Sequence, residues 1–236
     1  MIEAGLEFEG AIDGVMAAFA DLPSPFRPVQ FSHEEKLGSN ADRIDDQKRF
    51  AAFVAKSESG FFLLGPGVIY SIRIAPGKPL ICDCFLDVEP EDAELFLERM
   101  SQANPIFGFA CAPGERERRN RFTTQQGVST IESWVGRDTQ KYVPGFYWLT
   151  LLPDVLAAHH GVPLSAVEAV AEGHIELQDG QHLFRFYKRP EDWQATAAVE
   201  NLCASLPGVF DIERVRPQLS AAKNFLELNS MLREWK

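Results

Sequence analysis

The chain has 236 residues, 45% of them hydrophobic and 24% charged, and its 34 acidic and 23 basic side chains leave a formal net charge of −11. A chain of this length buries most of its unfolded surface and needs no disulfide or metal to fold. So acidic a balance argues against free nucleic acid as a partner, since phosphate binding needs a basic surface; it serves solubility, or the attraction of a basic protein.

In chain order, Ile12, Val15, Met16 and Phe19 recur at helical spacing within Glu9 to Ala20, and Asp21-Leu22-Pro23-Ser24-Pro25 ends that helix. A short strand is expected at Phe26 to Phe31. Asp46 to Lys56 reads as a helix with Phe50, Phe53 and Val54 on one side. Gly60 to Leu64, Val68 to Ile74 and Leu80 to Val88 are strand-like, with Pro76-Gly77 as a turn. The next helix has the strongest signature: Pro90 in the first turn, Glu91 and Asp92 at the positive end of the dipole, and Ala93, Phe96, Leu97 and Met100 as the apolar face. Asn104-Pro105 stops it before a strand at Ile106 to Cys111.

Farther on, His174 to Leu177 and His182 to Lys188 flank Asp179-Gly180, a strong hairpin turn. Pro190-Glu191-Asp192 opens a helix as Pro90-Glu91-Asp92 does, and Ala195, Ala198, Val199 and Leu202 repeat the earlier apolar spacing. A strand at Val209 to Val215 would complete the unit. The reading is a duplicated hairpin–helix–strand, near 70–111 and 174–215, in one domain spanning 1–236. The fold class expected is α+β, an antiparallel-rich mixed sheet packed with helices. Two ordinary segments sharing a Pro-Glu-Asp helix start would look the same. The chain closes on a helix over Ala221 to Trp235.

No catalytic template is found: no Gly-x-Ser-x-Gly elbow, phosphate loop, His-Glu-x-x-His helix or dinucleotide fingerprint. The expectation is therefore no enzyme and no cofactor. Cys82 and Cys84 alternate along a strand and read as small apolar core residues. His159-His160 has poor geometry for one metal, and His174 and His182 face each other across the hairpin without further evident ligands. The basic cluster Glu115-Arg116-Glu117-Arg118-Arg119-Asn120-Arg121 reads as a helix with internal ion pairs, tied to Asp138 or other buried carboxylates, and alternatively as an anion site. Phe146 and Trp148 are expected in the core, with stacking on a nucleobase as the alternative. Arg118, Arg119, Trp134, Arg137 and Trp148 are expected mostly to hold the fold.

Between Asp83 and Glu98 lie seven carboxylates and no Lys or Arg. Glu91, Glu94 and Glu98 share the polar side of the helix and are the candidate partner-binding residues; a plainly solvated face is the alternative. With neither a basic-then-apolar leader nor an apolar run of about 18 residues, a cytoplasmic location and no membrane partner are expected.

The segments Arg118-Arg119-Asn120, Trp134-Val135-Gly136-Arg137-Asp138 and Tyr142-Val143-Pro144-Gly145-Phe146-Tyr147-Trp148-Leu149-Thr150 resemble those of bacterial immunity proteins of polymorphic and type VI secretion toxin systems. Among these is the family paired with VRR-type nuclease effectors. The resemblance runs from the middle third to the C-terminal unit. It implies a cytosolic, non-enzymatic protein that neutralises a cognate secreted toxin by binding it, and it transfers no set of functional residues. The competing expectations are an enzyme with a site in 115–150 and a structural adaptor.

Overall fold

The computed structural model describes residues 1–10, 12–35 and 42–235; position 11 of the first expected helix lies outside them. In chain order the elements are β1 (Ile2–Phe8), α1 (Ile12–Asp21), β2 (Gln30–Ser32), β3 (Asp42–Arg43), α2 (Gln47–Val54), β4 (Gly60–Gly65), β5 (Val68–Arg73), β6 (Leu80–Leu86), α3 (Pro90–Met100) and β7 (Phe107–Cys111). There follow α4 (Pro113–Asn120), β8 (Arg121–Gln126), β9 (Ser129–Trp134), β10 (Leu149–Pro153), α5 (Asp154–His159), α6 (Leu164–Glu168), β11 (Gly173–Glu176), β12 (Gln181–Arg185), α7 (Ala198–Ser205), α8 (Ile212–Ser220) and α9 (Phe225–Glu234). The fold is α+β. Ten strands form one antiparallel sheet in the order β11-β12-β10-β7-β1-β6-β5-β4-β2-β3, and β8-β9 is a separate hairpin.

Strand periodicity sorts the sheet into two faces. On the first, Ile2, Ala4, Leu6 and Phe8 of β1 align with Cys82, Cys84 and Leu86 of β6 and with Val68, Tyr70 and Ile72 of β5, all buried. Helices α1 and α3 cover this face: Tyr70 packs on Phe19 at 4.6 Å and on Phe96 at 6.1 Å between ring centroids. The second face carries Glu3, Gly5 and Glu7 of β1 beside Ile81, Asp83 and Phe85 of β6 and Phe107, Phe109 and Cys111 of β7. Helix α4 lies over it, sending Arg116 down to Glu3 and Asp83. Toward β5 and β4 this face stays half-exposed at Phe62, Leu64, Ile69 and Phe85.

A second, smaller core gathers Phe122 of β8, Tyr142 and Phe210 with Ile212, Val215 and Leu219 of α8 and Leu228 and Leu232 of α9. It corrects one expectation. Residues 209–215 are not a strand: Val209 makes only an isolated parallel bridge with Val143, after which the Asp211 side chain accepts the Glu213 amide and starts a helix. The apolar residues of that stretch satisfy a helical spacing as well as a strand-like run, and the N-cap decides. The helix after Pro190 is also interrupted. Pro190–Gln194 is a 3₁₀ turn, α7 starts at Ala198, and Ala195 and Ala198 are exposed. The second unit thus lacks the continuous helix and closing strand of the first, and the duplication does not extend past its hairpin. That hairpin turns as its sequence demands, with Asp179 at φ 56° and Gly180 at φ 68°.

Three strand regions lie outside the expected elements: β1, the two-residue β3 and the hairpin β8-β9. Strand β1, the middle of the sheet, alternates Ile, Ala, Leu and Phe with Glu and Gly; β8-β9 turns through Gly127 at φ 62°. Trp148 is 1% exposed and donates its indole N–H to the Tyr187 carbonyl at 3.0 Å, whereas Trp134 is only half-buried. Trp148→Ala should lower unfolding free energy by about 3 kcal/mol or more in urea titrations, and Trp134→Ala by about 1 kcal/mol; equal losses would contradict this assignment of the two rings.

Candidate functional site

Helix α4 sorts the basic cluster by depth. Pro113 sits in its first turn and Glu115 faces inward, fully buried. One Glu115 oxygen accepts from Arg119 Nε at 3.1 Å and the other from the Trp148 backbone amide at 3.1 Å. Arg119 also donates to the Tyr187 hydroxyl at 3.0 Å. Beside it, the buried Asn120 amide donates to the Val135 carbonyl at 3.1 Å and accepts the Tyr147 hydroxyl at 2.6 Å. Burial pushes the Glu115 carboxyl up to about 7 against the pull of Arg119 and the Trp148 amide. Burial works against the charge on Arg119 too, but Glu115 opposite holds that guanidinium above its usual range. Arg118 is half-exposed and pairs with Glu213 at 2.7 Å, and Arg121 pairs with Glu117 at 2.9 Å. Asp138 takes no part in this; it pairs with Lys141 at 3.3 Å. The cluster is thus largely an internal ion-pair helix.

Arg116 faces the sheet. It reaches Asp83 at 2.7 Å and Glu3 at 3.2 Å, and lies 5.3 Å from the Phe109 ring and 5.2 Å from that of Trp134. Burial raises Asp83, but Arg116 and Arg73 outweigh it and hold the carboxyl below its ordinary value. Burial raises Glu7, whose Oε1 accepts the Thr139 hydroxyl at 2.6 Å. Around these groups runs a groove. Its inner part, a cleft of only about 40 Å³, lies among Phe107, Phe109, Tyr147, Arg116 and Arg137. Through Glu7, Ile81 and Arg137 it continues into a shallow basin of about 700 Å³ bordered by Trp134, Arg73 and Lys78. Arg137, expected to hold the fold, makes no hydrogen bond or ion pair among the described residues.

The acidic helix face is only partly free. Glu91 and Glu98 are exposed, with no ion-pair partner among the described residues, but Glu94 takes Arg185 at 3.0 Å and is three-quarters covered. The three carboxylates are therefore not one uniform stripe. Other segments add to it instead: Glu91 shares a surface depression with Asp87, Glu89 and Glu191, where Lys188 and Arg189 also lie, and Glu98 shares one with Glu176.

On the far edge of the sheet, His174 Nε2 and His182 Nδ1 share a hydrogen bond of 2.9 Å. His182 Nε2 lies 3.0 Å from Asp154 and His174 Nδ1 3.3 Å from Glu168. The facing of the two imidazoles agrees with the sequence reading; Asp154 and Glu168 were not foreseen. No group of three or more His, Cys, Asp or Glu among the described residues is arranged to hold a metal ion. Cys82 and Cys84 are buried and unbridged, 3.6 Å apart. Among the described residues no helix is long and apolar enough to cross a membrane.

No protein-family model, no curated protein and no solved structure matches the chain.

Glu115 gives a pH signature with a definite sign. Its folded-state value is raised, so its contribution is fully present below about 4.5 and is lost as pH rises toward about 7. Relative to Glu115→Gln, which cannot titrate, the wild type should be more stable at about pH 5 than at about pH 8, by a few kcal/mol at most. Urea midpoints of both proteins at the two pH values measure this; parallel pH profiles would show that Glu115 titrates normally.

Proposed function

We propose that the chain is a cytosolic immunity protein that binds a cognate secreted bacterial toxin and neutralises it by occluding its active site, without catalysis. The observation that carries the partner's chemistry is the distribution of unpaired charge. Ten of the fifteen arginines pair within the chain, with Glu3, Asp42, Asp45, Asp83, Glu94, Glu115, Glu117, Glu132, Asp211 and Glu213 among their partners. Asp87, Glu89, Glu91, Asp92 and Glu98 have no such partner among the described residues, and Glu176 and Glu191 border the same surface. These carboxylates make the α3 side an acidic patch, interrupted by Lys188 and Arg189. Such a surface complements a basic protein and speeds its docking. A nuclease, whose own site must attract phosphate, fits that description. The toxin assignment itself is supported by the immunity-like segments around Arg118, Trp134 and Tyr142.

Because Glu94 anchors Arg185, the contact surface is tested with Glu91→Lys/Glu98→Lys. Exposed helix charges contribute only about a few tenths of a kcal/mol each, so the double variant should melt like the wild type. It should associate more slowly with the toxin captured from the native host, and the wild-type rate should fall as salt rises. It should also protect toxin-expressing cells less well. Unchanged association and protection would move the contact surface elsewhere. If the native host yields no toxin that the wild type binds, the immunity reading fails.

A further inference from the structure

We propose that His174 and His182 hold one proton between them, and that the pair is a latch on β11 that closes only while that single proton is held. The latch is independent of toxin binding and lies in another part of the molecule.

Strand β11 needs a fastening beyond its ladder. It is the outermost strand, none of its four residues is buried, and Ile175 is 40% exposed, so apolar packing contributes little to holding it. The register sets His174 opposite Phe184 and Glu176 opposite His182, which puts both imidazoles on one side of the sheet. The His174 ring lies on that of Phe184, 4.5 Å away and tilted by 11°, and this contact fixes its plane. His182 is nearly covered, at 7% exposed. The two imidazoles meet edge to edge: their centroids are 5.1 Å apart, their planes differ by 28°, and His174 Nε2 stands 2.9 Å from His182 Nδ1. Each outer nitrogen faces a carboxylate. His182 Nε2 is 3.0 Å from Asp154 of α5, and His174 Nδ1 is 3.3 Å from Glu168 of α6.

A count of protons decides when these three contacts coexist. An ionised carboxylate only accepts, so both outer nitrogens must carry hydrogen. The inner contact then needs one proton more, on either nitrogen. Two imidazoles with three protons carry one positive charge. With two protons, one of the three contacts is left without a hydrogen. With four, the inner contact sets N–H against N–H. Only the singly charged pair satisfies the whole chain from Asp154 to Glu168.

The surroundings favour that state. Asp154, Glu168 and Glu176 face the pair, and Glu172 and Asp179 flank the strand; none of the five has a Lys or Arg partner among the described residues. Leu152 and Thr150, from the neighbouring β10, bring no charge. Arg185 points to the other side of the sheet, where Glu94 holds it. One positive charge is stabilised among these carboxylates, whereas a second would stand within hydrogen-bond distance of the first. Rising pH removes the shared proton and with it one contact. Falling pH adds a second proton and breaks the inner contact, and protonation of Asp154 or Glu168 acts in the same direction. β11 is therefore held most firmly at an intermediate pH, within the range where imidazole changes charge.

Amide hydrogen exchange of the full-length protein, followed by NMR across that pH range with and without a chelator, tests this. The reporters are the Glu172 and Leu177 amides, which donate to the Arg185 and Gln181 carbonyls at 2.8 Å at the two ends of the strand. Their protection, corrected for intrinsic rates and referred to amides of β1, should pass through a maximum. It should fall about ten-fold on either side, the equivalent of one charge-assisted hydrogen bond. His174→Phe keeps a ring on Phe184 without its nitrogens; its profile should be flat and as low as the wings of the wild-type one. Ring ¹⁵N spectra of the wild type should show two titration steps that belong to the pair, with three protons on the two rings between them. Those spectra decide the matter even if the variant fails to fold. The proposal is overturned if protection changes in one direction only or not at all, or if His174→Phe keeps the maximum. It is also overturned if both rings are neutral or both are charged at the maximum, or if the chelator abolishes the protection, which would place a metal ion in the gap.

Discussion

The arrangement depends first on a buried carboxylate. Glu115 has no solvent access, and its oxygens are met by the Arg119 guanidinium and the Trp148 amide. Leaving such a charge without a partner costs several kcal/mol, so all groups around it must arrive together. They come from distant parts of the chain: α4, the segment entering β10, Tyr187 after β12, and Glu200 of α7 at 3.5 Å from Arg119. With α4 pinned through Glu115, the adjacent Arg116 is directed at the sheet. There the guanidinium lies over Phe109 and Trp134 and forms one wall of the groove.

Two chemistries are kept apart by the sheet. The face under α1 and α3 is closed by aromatic packing, and the outer surface of α3 shows acid to solvent. The opposite face is covered only in part; there Arg116 bridges Glu3 and Asp83, Arg73 shares Asp83, and Arg137 has no ion-pair partner among the described residues. This separation lets a negative outer field and a locally neutral groove coexist on one chain, since solvent charges beyond about a Debye length hardly feel one another.

Legibility in the sequence followed the range of the interactions. Helix α3 was readable because proline, dipole charges and apolar spacing agree within eleven residues. The Asp179-Gly180 turn was readable because its two left-handed conformations need those residue types. Strand β1 carried a clear two-residue alternation but no flanking turn cluster to announce it. The 209–215 stretch was misread because the Asp211 cap outweighs its strand-like composition. Equivalence of Glu91, Glu94 and Glu98 failed because Arg185, distant in sequence, sits opposite only the middle one. The groove at Arg137 was not visible at all. The unpaired state of one arginine depends on where every carboxylate around it has gone, which is a tertiary fact.

The paired imidazoles bear on how the sheet ends. β11 is a four-residue outer strand, and the chain Glu168–His174–His182–Asp154 fastens it laterally to α5 and α6. An outermost strand held by side chains as well as by its ladder is a lock on the backbone groups beneath it. Were it to peel away, β12 would offer a row of free amides and carbonyls to any extended chain, the usual start of edge-to-edge polymerisation. At the opposite margin the two-residue β3 leaves almost no template to copy. The two histidines thus tie the last strand of the sheet to its neighbour and to two helices.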